Sequence, residues 1–95
     1  MIATATIPFY MRYTKGAGEE QGLLVDEREN LLIRLNQSGC RAWEAYRAPT
    51  WPESCRRYSE AEGIELSDAT DLLVAFGRDL AQHGWLEFTE DALQG

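Results

Sequence analysis

Two prolines three residues apart, Pro49 and Pro52, divide the second half of this 95-residue chain and limit what it can fold into. The residue before a proline avoids the helical region, so Ala48-Pro49 closes a helix. The apolar spacing of Cys40, Trp43 and Tyr46 predicts that helix over residues 38–47, with Asn36 or Ser38 as its cap. Thr50-Trp51-Pro52-Glu53 then opens a second helix. There the Thr50 hydroxyl and the Glu53 carboxylate can cap reciprocally, and proline falls in the first turn, where its missing N–H costs nothing. Trp51, Cys55 and Tyr58 face the core of this helix, and Gly63 ends it. A third and longest helix is predicted over 68–83, with Ser67 or Asp68 as cap, Asp68 and Asp71 at its positive end, and His83-Gly84 as its stop. Its core stripe is Leu73, Phe76 and Leu80; Leu72, Ala75 and Asp79 fall on an adjoining face that need not be fully buried.

The first half reads as extended chain. Residues 7–14, IPFYMRYT, are aromatic and β-branched and end at the turn Lys15-Gly16-Ala17-Gly18; Pro8 belongs near a strand start or on an edge. Two apolar runs, GLLVD and LLIRL, are joined as a hairpin by Glu27-Arg28-Glu29-Asn30. Residues 85–88 return as a short extended segment before an acidic tail. The order β-β-β-α-α-α predicts an α+β fold: a winged helix-turn-helix-like domain with a three-stranded antiparallel sheet followed by three helices. It is read as one domain over residues 1–95 with its core at about 7–88.

Composition removes several classes of function. Hydrophobic residues at 44% suffice for one core without disulfides, and the length is too short for two. No apolar run approaches the roughly 18 residues of a membrane span, and the N-terminus lacks a signal-peptide pattern, so a cytoplasmic protein without membrane contact is expected. Cys40 and Cys55 form no C-x-x-C pair and His83 is the sole histidine, so a zinc site is not expected and both thiols read as small buried groups. Nucleophile elbows, phosphate-cradling glycine loops and H-E-x-x-H are absent, so neither an enzyme nor a cofactor is expected.

Charge discriminates further. Residues 1–59 carry eight Lys or Arg against seven acids, whereas residues 60–95 carry nine acids against Arg78 alone, a local sum of −8 in a chain of net −7. A winged helix that reads DNA needs a basic third helix. This one offers Asp68, Asp71 and Asp79, which repel phosphate, so no DNA partner is expected there. Arg41, Arg47, Arg56 and Arg57 leave some other nucleic-acid contact open.

The alternative is peptide binding by strand addition. If 31–35 is an edge strand beside the third helix, the two form a groove. Main-chain bonds would then supply affinity, Leu31, Ile33, Leu72, Ala75 and Phe76 apolar pockets, and Asp71 and Asp79 partners for basic residues. Leu31, Ile33 and Phe76 read equally well as plain core.

Over residues 22–88 the chain resembles the PqqD-like family, the precursor-peptide recognition elements of ribosomally made, modified peptides. The likeness rests on GLLVDERENLLIRLNQSGCRAW, with its Leu35-Asn36 step and Trp43, and on LLVAFGRDLAQHGWL. Members bind the leader of a precursor peptide and deliver it to a modifying enzyme, often a radical S-adenosylmethionine enzyme or a leader peptidase. The leader adds as a strand to the third strand and packs against the third helix. Carried over, this implies Leu31, Leu32, Ile33, Arg34 and Leu35, with the helix face from Asp68 to Asp79. One departure is Gly77, where the family commonly has a large aliphatic residue. Mid-helix glycine costs about 1 kcal/mol relative to alanine, which predicts a helix locally thin or closely approached there. A winged-helix regulator and a structural subunit of a larger enzyme are the competing readings.

Overall fold

The computed structural model describes residues 2–15 and 21–90. The turn expected at Gly16-Ala17-Gly18 and the acidic tail beyond Glu90 lie outside the described residues. The elements run β1 (Ile2–Thr6), β2 (Met11–Lys15), β3 (Gly22–Asp26), β4 (Leu31–Leu35), α1 (Gln37–Tyr46), α2 (Trp51–Glu62), α3 (Leu66–Gln82) and β5 (Glu87–Glu90). The fold is α+β, with an antiparallel sheet in the order β2-β3-β4 and three helices.

Several boundaries differ from the sequence reading; the segment expected over 85–88, for one, is extended as β5 over Glu87–Glu90. The strand expected over 7–14 begins only at Met11, because Pro8 sits in a turn where its carbonyl accepts from Met11 N–H at 3.1 Å. The segment before it forms β1, which pairs antiparallel with β5 in a second, two-stranded sheet. Its sequence, IATAT, carries little apolar signal and is held by a partner over 80 residues away, so no local pattern reveals it. The third helix begins at Leu66, not at Asp68. Ala69 N–H bonds the Glu65 carbonyl at 2.9 Å, so the first helical turn closes before Ser67 or Asp68 could cap it, and Glu65 makes no side-chain cap bond.

The other two helix starts follow from their caps. Asn36 Oδ1 accepts from Gly39 N–H at 2.7 Å, which starts α1 at Gln37, one residue earlier than expected. Ser38 does not cap; its hydroxyl is bonded to the Tyr58 hydroxyl at 2.8 Å. Thr50 Oγ1 accepts from Glu53 N–H at 3.3 Å, but the return half of the expected box is missing. The Glu53 carboxylate binds Arg56 and Arg57 instead, and these guanidiniums, Arg56 first, hold it below the usual carboxylate range. Gly63 closes α2 with φ of 67°, a left-handed conformation that glycine adopts without strain.

The core lies between the three-stranded sheet and the helices. Trp43, Tyr46, Leu24 and Leu73 are fully buried, and Cys40 and Cys55 are buried free thiols. Burial of this kind stabilises by about 1.5–3 kcal/mol per large apolar side chain. The Tyr46 hydroxyl donates to the Leu73 carbonyl at 2.6 Å, tying α1 to α3. Phe88 from β5 packs edge-on to Tyr46 and Trp51, with ring centres 6.4 and 5.6 Å apart. Gly77 makes that possible: a Cβ there would stand 2.3 Å from Phe88 Cζ. The helix is closely approached, as its glycine predicts.

Candidate functional site

Among the described residues β4 is an edge of the three-stranded sheet, paired with β3 alone and in continuous register from Asp26 against Leu31 to Gly22 against Leu35. Alternation along a strand sends neighbouring side chains to opposite faces. Leu35 is buried and Ile33 half-buried against the core, which puts Leu31, Ile33 and Leu35 on the helix side. Leu32 and Arg34 stand on the outer face, opposite Val25 and Leu23 of β3. Leu31 is 44% exposed and Leu32 66%, so neither is plain core.

On α3, Asp68, Asp71, Leu72, Ala75 and Asp79 are all exposed and Phe76 is half-buried. Spacings of four, three and four residues align Asp68, Leu72, Ala75 and Asp79 in one stripe, about 16 Å long at 1.5 Å per residue. Five residues of extended chain cover about the same distance. Carboxylates therefore close both ends of an apolar centre.

Strand and helix have different principal neighbours. β4 packs against β3 and α1, and α3 against α2 and β5. What joins them is a cavity of about 230 Å³ where β4 gives way to α1, lined by Asn36, Ser38, Gly39, Ala42, Tyr58, Leu72 and Phe76. Two of the expected residues, Leu72 and Phe76, thus meet at a common depression. The other expected residues lie outside its lining: Leu31 to Leu35 on the edge strand, and Asp68, Asp71, Ala75 and Asp79 on the helix. Asn36, Ser38, Gly39, Ala42 and Tyr58 were missed. Their cap and core patterns explain them as structure, and nothing local signals that they also border open space. The depression is a place for an apolar side chain; Tyr58 and Ser38, in its lining, have their hydroxyls bonded to each other.

The buried charge of the protein lies elsewhere. Asp26, 1% exposed at the end of β3, accepts from Arg28 N–H and Nε at 2.9 and 3.1 Å and from Arg28 Nη2 and Trp85 Nε1 at 2.8 and 3.1 Å. Arg28, chiefly through its side-chain hydrogen bonds, holds this carboxyl below its ordinary range. The guanidinium also stacks 4.0 Å over the Tyr10 ring and reaches the His83 carbonyl at the end of α3 at 3.3 Å, while the Tyr10 hydroxyl donates to the Gly84 carbonyl at 2.7 Å. Arg28 and Trp85 tie the β3–β4 turn to the end of α3, and Tyr10 ties the preceding segment to the same place, a structural role. Among the described residues no three His, Cys, Asp or Glu side chains gather as a metal site would require. Burial raises the Cys55 thiol, the opposite of what a reactive cysteine needs. No helix among the described residues is long and apolar enough to cross a membrane.

Compared with protein-family models, curated proteins and solved structures, the chain matches none.

Proposed function

We propose that this protein is a winged-helix-like, PqqD-like recognition element. It binds the leader segment of a ribosomally made precursor peptide and presents it to a separate modifying enzyme, without catalysing a reaction or holding a cofactor. The observation that carries this reading is the open edge of β4, with Leu31 and Leu32 exposed; the exposed stripe on α3 has a matching length. A leader adding to β4 gains main-chain hydrogen bonds along the strand, and an apolar side chain fills the depression by Leu72 and Phe76. Asp68 and Asp79 at the ends of the stripe, with Asp71 beside it, favour basic leader residues. The resemblance over residues 22–88 supports the same assignment, with a radical S-adenosylmethionine enzyme or a leader peptidase as the downstream partner and the cytoplasm as the compartment.

The test is titration of a fluorescent leader, taken from a short reading frame neighbouring this gene, against the protein and against Leu72→Asp. Leu72 is half-exposed, so the variant keeps its fold. Affinity is expected to fall about tenfold or more, since a charge in an apolar contact costs more than 1.4 kcal/mol. No binding by the wild type, or equal binding by Leu72→Asp, overturns the groove assignment.

A further inference from the structure

We propose that the edge of β4 pairs with β4 of a second copy of this chain, forming a weak antiparallel homodimer that covers the groove until a peptide displaces it. The pairing stands by itself; its effect on peptide capture rests on the function proposed above.

Sheet edges are protected by charge, proline, bulges or cover. The other edge strands here each carry such a device. β2 bears, besides the outer-face Arg12, the half-exposed Lys15 on the helix side; β5 bears Glu87 and Glu90, and the register of β1 shifts between Ile2 and Thr4. β4 has no proline, no lysine and no shift in register, and it exposes two leucines. Its single charge, Arg34, stands on the outer face, clear of the edge.

The strand is also self-complementary. Five residues centred on Ile33 place Ile33 against Ile33 about a two-fold axis, Leu31 against Leu35 on the helix side, and Leu32 against Arg34 on the outer side. Apolar side chains meet, and no like charges stand directly opposite. Two opposing terms keep the dimer weak. One short strand falls well below the roughly 800 Å² per partner of a stable interface, which suggests a dissociation constant on the order of 100 μM. Each copy also carries net charge −7, so the copies repel. Salt screens that repulsion and tightens the dimer, whereas it weakens attraction between the acidic α3 and a basic leader. The two uses of one edge therefore respond to salt with opposite signs.

Sedimentation equilibrium of the full chain between about 10 μM and about 1 mM, at low and high salt, tests this. The expected result is a monomer–dimer equilibrium that shifts several-fold toward dimer at high salt. The register is tested at Leu32, whose exposure lets it change without loss of fold. Leu32→Arg sets like charges opposite and abolishes the dimer, while Leu32→Glu faces Arg34 of the second copy and tightens it. A monomer at every concentration, or equal responses of the two variants, overturns the pairing. Adding the leader should dissociate the dimer; a dimer that persists when the groove is saturated overturns its regulatory role. A dimer with the expected Leu32 responses, in a protein that binds no leader, would sink the proposed function and leave the pairing intact.

Discussion

At the scale of single residues, Gly77 and Asp26 carry the most consequence. Alanine at 77 gains about 1 kcal/mol of helix propensity, but its Cβ would overlap the Phe88 ring, and overpacking of this kind costs about 1–3 kcal/mol. Phe88 is held between Tyr46 and Trp51, so it has little room to yield and the clash wins. Gly77→Ala is expected to lower the melting temperature by several degrees, and Phe88→Leu in the same chain to restore part of it. Additive losses in that double-mutant cycle would refute the contact. Asp26 gives a pH dependence of known sign. Its folded pKa lies below the unfolded value, so its stabilisation is fully present above about pH 4 and is lost as pH falls through the folded pKa. Asp26→Asn is expected to be less stable at neutral pH and to lose part of the acid sensitivity of the wild type, read as chemical-denaturation midpoints from pH 7 down to about pH 3.

At the scale of elements, caps and stops dominate. The Asn36 cap, the Thr50 cap, Pro52 in the first turn and Gly63 with positive φ each appear in the sequence because they act within four residues of where they are read. Thr50→Ala removes the cap bond of α2 and is expected to cost about 1 kcal/mol, with Thr50→Ser recovering most of it in thermal melts. The boundaries that escaped sequence reading have a different origin. β1 exists through pairing with β5, and α3 starts at Leu66 through a backbone bond from Ala69 to Glu65, without any side-chain signal. The missing return bond at Glu53 is a competition that two arginines one turn ahead win, since charge-assisted bonds are stronger than a bond to a neutral N–H.

At the scale of the molecule, charge and openness bear on the partner proposed above. The exposed stripe of α3 presents Asp68, Asp71 and Asp79 where a DNA-reading helix would present cations. No retardation of duplex DNA is therefore expected in gel shifts at about 100 mM salt, and binding that weakens steeply with salt would contradict this. The sheet edge, by contrast, offers unpaired main-chain groups to any extended chain of suitable side chains. The sequence by itself determined the three helices, the three strands of the main sheet apart from where the first begins, and the acidic character of α3. Each is written in spacing, capping or charge over a few residues. Only the tertiary structure decided that Ile2–Thr6 is a strand, that Phe88 enters against Gly77, and that Leu72, Phe76, Tyr58 and Asn36 border one depression. Those relations join residues far apart in the chain, and local propensity carries no term for what a distant segment will bring.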